Sequence, residues 1–132
     1  MAKTLQNKRV LIIEDDKFLA DLLSKKLESE GAEVLYANSG ESFLKSMGGK
    51  IPTLAIIDIL LPGFDGFETL RRIRMQDKLQ SVPAILLSNV DRGEYENKLA
   101  ASKNTKLLMK SRFNLDELVV QIEKFLAENN EA

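Results

Sequence analysis

Val10-Leu11-Ile12-Ile13-Glu14-Asp15-Asp16 is an unbroken apolar run that stops on three acids. The run is rich in branched residues and does not alternate with polar ones, the pattern of a strand covered on both faces in a parallel sheet. Three further runs stop on a polar residue in the same way: Leu54 to Ile57 on Asp58, Ala84 to Leu87 on Ser88, and Leu107 to Met109 on Lys110. If these runs are neighbouring strands of one sheet, three carboxylates, a hydroxyl and an ammonium converge at its carboxyl edge. That edge is where open α/β sheets bind ligands.

The segments between the runs read as helices. From Lys17 to Glu30, the residues Phe18, Leu19, Leu22, Leu23 and Leu27 fall at helical spacing, with Asp16 as cap and Gly31 where a helix C-terminus favours glycine. Glu33 to Ala37 reads as another strand, and Asn38-Ser39-Gly40 opens a short helix to about Met47, ended by Gly48-Gly49. Pro62-Gly63 marks a turn, and Asp65 with Glu68 resembles a capping box for a helix to about Gln76. A weaker helix is expected over Arg92 to Ala101, where only Tyr95, Leu99 and Ala100 suggest an apolar face, and Lys106 to Met109 is the fifth strand. Leu115, Leu118, Val119, Ile122 and Leu126 then form a helical stripe capped by Asn114. Five strands alternating with five helices predict a doubly wound α/β domain, a parallel sheet with helices on both faces, and the 132 residues suit a single domain.

Composition narrows the chemistry. The chain has no cysteine and no histidine, which excludes disulfides, thiolate nucleophiles, imidazole bases and nitrogen- or sulfur-ligated metals. Lys and Arg are spread along a chain of net charge −1, without the basic stripe that direct nucleic-acid binding needs. The apolar runs are far shorter than a membrane span, and the stretch before Glu14 is too short for a signal peptide. A cytoplasmic protein is expected.

Glu14, Asp15 and Asp58 would repel one another unless they share protons or hold a cation. With oxygen ligands alone Mg²⁺ is the natural ion, since it combines one or two carboxylates with water and substrate phosphate oxygens. An aspartate can attack phosphorus once cations neutralise the incoming oxygens, and Asp58 is placed for that role. Lys110 could pair with one phosphate oxygen and Ser88 could donate to another. Taken singly, each residue has a plain structural use: Asp15 and Asp16 as caps, Asp58 at a turn, Ser88 closing a strand, Lys110 in solvent. Their coincidence at four strand ends is what argues for chemistry.

The order and spacing of Val10 to Asp16, of Ile56 to Phe67 (Ile-Ile-Asp-Ile-Leu-Leu-Pro-Gly-Phe-Asp-Gly-Phe), of Ile85 to Ser88, and of Lys110 resemble a response regulator receiver domain, the phospho-acceptor module of two-component signalling. The resemblance covers about Lys8 to Glu128 and implies a flavodoxin-like sheet of strand order 2-1-3-4-5. It also implies that Asp58 accepts a phosphoryl group from the phosphohistidine of a sensor histidine kinase or histidine phosphotransfer protein. Asp15, Asp58 and the Leu60 backbone carbonyl would ligate Mg²⁺, Glu14 would reach it through water, and Ser88 and Lys110 would hold the phosphate. The signal would leave through the last two strands and helices.

Several positions depart from the family pattern. Ser111 stands where proline commonly follows the lysine, Leu107 where a switching aromatic is common, and Asn89 where a small residue follows the hydroxyl. Ser102-Lys103-Asn104 replaces a typical Ala-Gly-Ala. A trans Lys110–Ser111 bond is expected, because a non-proline cis bond costs about 2.5–4 kcal/mol. The resemblance also implies that Leu60 and Val90, two positions after the aspartate and two after the hydroxyl, would flank the path of a hydrolytic water. Two other readings compete: a pseudo-receiver read without phosphorylation, and a Mg²⁺-dependent phosphatase or nuclease, for which the short connections leave no covering lid.

Overall fold

Five parallel strands form one sheet: β1 (Arg9–Ile13), β2 (Glu33–Ala37), β3 (Leu54–Asp58), β4 (Ala84–Ser88) and β5 (Thr105–Met109), in the order β2-β1-β3-β4-β5. The structure, a computed structural model, describes residues 4–46, 50–90 and 92–130. Strand residues point alternately to the two faces. Val10, Ile12, Leu54, Ile56, Ile85 and Leu87 pack under α1 (Lys17–Ser29) and α5 (Leu115–Asn130), through Leu23, Leu27, Leu118, Ile122 and Phe125. Leu11, Ile13, Ala55, Ile57, Ala84 and Leu86 pack on the other face against Phe43 of α2 (Gly40–Ser46) and Leu70 and Ile73 of α3 (Gly66–Arg74). Runs without polar alternation are thus explained: both faces of the central strands are covered.

The helix ends follow local chemistry. Asp16 Oδ1 accepts from the Leu19 amide, Asp65 Oδ1 from Glu68, Asn114 Oδ1 from Glu117 and Ser39 Oγ from Ser42, each satisfying an otherwise unpaired first-turn donor. Gly31, just past α1, has φ 98°, the left-handed conformation that favours glycine after a helix. Arg74 fastens the end of α3 to the entry of β4 and β5, with Nη2 donating to the Val82 and Asn104 carbonyls at 2.7 and 3.0 Å.

Five boundaries differ from the sequence reading. β1 begins one residue early, at Arg9, and α1 ends one residue early, at Ser29. α3 ends at Arg74, and a 3-10 turn follows over Asp77–Leu79. The helix expected over Arg92 to Ala101 is a 3-10 turn, Arg92–Tyr95, followed by a short α4 (Glu96–Ala100), because Tyr95 leaves α geometry at φ −114°, ψ 10°. β5 begins one residue early, at Thr105. α2 reaches Ser46; its expected end at Met47 and the Gly48-Gly49 stop lie outside the described residues.

Candidate functional site

The chain leaves β1 for β2 on one side and returns to β3 on the other, so a crevice opens beyond the carboxyl ends of β1 and β3. Glu14 and Asp15 follow β1 directly, and Asp58 closes β3. Carboxylate oxygens of all three lie within 4.8 Å of one another. Glu14 is 1% and Asp58 5% exposed, whereas Asp15 stands in solvent. Lys110, the residue after β5, reaches across to place Nζ 3.0 Å from Asp58 Oδ2 and 3.2 Å from Glu14 Oε1. The sheet order therefore brings together four of the residues singled out from the sequence. With all three acids ionised, three negative charges against one positive leave two in excess, the charge of one divalent cation.

Backbone groups fix the acids. The Leu60 amide donates to Asp58 Oδ1 at 3.2 Å, and the Asp16 amide donates to Glu14 Oε2 at 3.2 Å. Glu14 Oε1 is ion-paired with Lys110 and meets no well-aligned hydrogen-bond donor among the described residues. Burial, then the hydrogen bond and charge of neighbouring Asp58, push the Glu14 carboxyl up to about 7. Burial of Lys110 opposes its charge, but its hydrogen bond to Asp58 and the charges of Asp58 and Glu14 outweigh that and hold it above the usual lysine value.

The displaced Glu14 carboxyl has a consequence for stability. A carboxyl whose folded pKa of about 7 exceeds its ordinary 4.5 stabilises the fold below pH 4.5, and that contribution disappears as pH rises through 7. At full ionisation the loss is on the order of 3 kcal/mol. The melting temperature of the metal-free protein is expected to fall between about pH 4.5 and 7 and to level off above that, and Glu14→Gln to flatten that fall. Parallel profiles for wild type and variant would exclude Glu14 as its source.

The remaining residues from the sequence reading do not join the acid cluster. Ser88 is 2% exposed, and its hydroxyl donates to the Val90 carbonyl at 2.9 Å while accepting from the Val90 amide at 3.0 Å. Leu60 is 61% exposed, Val90 is half-buried and Asn89 is exposed. Leu107 is half-buried against the α3 side of the core. The Lys110–Ser111 bond is trans, no cis bond occurring among the described residues, and the chain turns there into a 3-10 segment, Lys110–Arg112.

Two residues at the site escape sequence reading. Gly66 opens α3 directly against the backbone of Asp58, where a β-carbon would lie 2.6 Å from the Asp58 carbonyl oxygen. Tyr36, near the end of β2, donates its hydroxyl to the Glu14 carbonyl at 2.8 Å. The Asp-Gly pair at 65–66 is a visible signal for the first; the second has none short of the strand register.

Comparison with known proteins agrees with this geometry. The family model for the response regulator receiver domain matches residues 10–123. The transcriptional regulatory protein AfsQ1 of Streptomyces coelicolor is 44% identical over 79 residues, covering 60% of this chain and 34% of that protein. The alkaline phosphatase synthesis transcriptional regulatory protein PhoP of Bacillus subtilis is 28% identical over 120 residues, covering 91% of this chain and 49% of that protein. The chain thus spans between a third and a half of the length of these two relatives. A CheY-like receiver domain protein from Methanospirillum hungatei superposes with a TM-score of 0.80 at 28% identity, covering 94% of this chain and 97% of that one. No helix among the described residues is long and apolar enough to cross a membrane. The doubly wound order, the acid cluster at its switch point and the family match over residues 10–123 place this chain in the response regulator receiver domain family.

Proposed function

We propose that this chain is a phosphorylation-switched receiver in which Asp58 takes a phosphoryl group from a partner's phosphohistidine. The observation that carries the reading is the buried Asp58 carboxylate, 3.0 Å from Lys110 Nζ and clustered with two more acids. In the transfer, an Asp58 oxygen forms a bond to phosphorus as the phosphorus–nitrogen bond of the phosphohistidine breaks. An acyl phosphate remains on Asp58, and the imidazole leaves with the electron pair. Receiver domains take phosphoryl groups from histidine kinases, and a chain without histidine cannot be the donor.

The donor set fits Mg²⁺: three oxygen-bearing acids, an excess of two negative charges, and a buried Glu14 oxygen without a hydrogen-bond partner. Asp15, Asp58 and the Leu60 carbonyl would hold the ion, with Glu14 acting through water. Bound there, Mg²⁺ supplies positive charge to the phosphoryl oxygens as they approach a carboxylate. Lys110 is already beside Asp58 and pairs with an incoming oxygen. For Ser88 to donate to another oxygen, its proton has to leave the Val90 carbonyl. That exchange frees the segment leading to Tyr95, whose ring packs on Phe67 of α3 with centroids 5.5 Å apart. Phosphate arrival then redistributes two arrangements of the β4–α4 segment.

Intact mass after exposure to a small phosphodonor tests the reading. One phosphate adduct is expected with Mg²⁺ and none with a chelator; no adduct in either condition would leave a module read without phosphorylation. The adduct is expected to be long-lived, because Leu60 and Val90 cannot orient a water for in-line attack. Leu60→Asn and Val90→Glu should speed its loss several-fold. Wild-type loss as fast as either variant would show that these side chains do not set the lifetime.

A further inference from the structure

The geometry points to Tyr36 as a positioning residue for the acid pocket, acting through the backbone of Glu14; this role rests on the Mg²⁺ reading of that pocket. Residue 14 lies just beyond β1, where the ladder with β2 runs out. Strand β2 nevertheless holds it at both backbone groups. The Glu14 amide donates to the Ala37 carbonyl at 3.2 Å, and the Tyr36 hydroxyl donates to the Glu14 carbonyl at 2.8 Å. The first contact continues the sheet, but the second uses a side chain to extend it by one more bond. Removing the phenol takes that partner from the carbonyl of a residue that is 1% exposed, and an unpaired buried carbonyl is costly.

The turn held by this bond carries the acids. Glu14 Oε2 accepts from the Asp16 amide at 3.2 Å, and Asp16 in turn caps α1. The orientation of the peptide after Glu14 therefore sets where the Asp15 carboxylate stands relative to Asp58. An ion that demands near-ideal octahedral oxygen geometry is sensitive to that placement, and partners that orient ligands from behind are worth about 10–100-fold in metal affinity. Tyr36 is 46% exposed, so replacing it by phenylalanine removes the donor while leaving the packed face of the ring in place.

The test is calorimetric titration with Mg²⁺ alone of wild type, Tyr36→Phe and Asp15→Asn, with amide hydrogen exchange of the metal-free proteins. Tyr36→Phe is expected to weaken Mg²⁺ binding about tenfold and to speed exchange at the Asp16 amide selectively. Mg²⁺ affinity of Tyr36→Phe within twofold of wild type would overturn the role of Tyr36, as would a uniform loss of protection across the sheet, which marks a merely structural bond. Equal Mg²⁺ binding by wild type and Asp15→Asn, or none by wild type, would instead remove the metal reading and the role of Tyr36 with it.

Discussion

Asp58→Asn is expected to abolish the Mg²⁺-dependent phosphate adduct while leaving the fold intact. The two side chains have the same shape, so the amide oxygen can still accept from the Leu60 backbone at the loop exit, a bond of 3.2 Å in the wild type. The change lies in charge: a neutral amide is a poor nucleophile and cannot hold the ammonium of Lys110 as the carboxylate does at 3.0 Å. Glu14 responds as well. Its carboxyl is pushed up first by burial, then by the hydrogen bond and charge of Asp58, and the substitution removes the charge while leaving burial in place. The Glu14 pKa should therefore drop toward the ordinary range, and the loss of stability between about pH 4.5 and 7 should shrink together with the adduct. Mass spectrometry and thermal melts on the same protein read both effects. A full adduct on Asp58→Asn would move the acceptor to Glu14 or Asp15, and an unchanged pH profile would detach Glu14 from Asp58.

This coupling was partly legible in the sequence. Apolar runs that end abruptly on Glu14, Asp58, Ser88 and Lys110 encode strands whose polar terminal residues must emerge at one edge, because parallel strands share a direction. Pairing of β1 with β3, of β3 with β4 and of β4 with β5 then brings the acids and Lys110 together. What the runs do not encode is which way each side chain turns. Ser88 sits at the expected strand end, yet its hydroxyl closes on Val90, a local turn that competes with any ligand. Tyr36 reads as one strand residue among five; its contact with Glu14 emerges only once β1 and β2 are in register.

The segment after β4 shows another limit. Arg92 to Ala101 offers few apolar positions, so helical periodicity is weak and tertiary contacts decide the backbone. Tyr95 packs against Phe67, and Lys98 lies 5.5 Å from the same ring and 3.9 Å from Asp65. These contacts tie the start of α4 to the start of α3, and the chain makes a 3-10 turn to reach them. The absence of an aromatic ring at Leu107 does not leave this region without one: Tyr95, between β4 and α4, supplies a ring that packs on Phe67. Asn104 supplies a comparable case, since it takes φ 51° in the turn before β5, a conformation that Asn tolerates better than most residues.

Gly66→Ala is expected to cost about 2–3 kcal/mol, lowering the melting temperature by about 10 °C, and to impair phosphorylation at the same time. The reason is backbone crowding rather than conformational freedom. The Gly66 amide donates to the Ile59 carbonyl at 2.8 Å, which draws the first turn of α3 down onto the chain leaving β3. A β-carbon there would lie 2.6 Å from the Asp58 carbonyl oxygen, 2.8 Å from Ile59 Cα and 3.1 Å from the Asp58 carbonyl carbon. None of these atoms belongs to a side chain that could swing aside, so either α3 lifts or the Asp58 peptide moves. Lifting α3 breaks the bond to Ile59 and loosens Leu70 and Ile73 from the sheet. Moving the peptide displaces the acceptor carboxylate from Lys110, where a shift on the order of 1 Å is enough to cost a rate about 100-fold. Gly93→Ala is the control, because a β-carbon there meets nothing within 4 Å. Melting temperatures and adduct yields for the two variants separate the cases: a Gly66→Ala protein indistinguishable from Gly93→Ala in both would show that the contact between α3 and Asp58 does not position the acceptor.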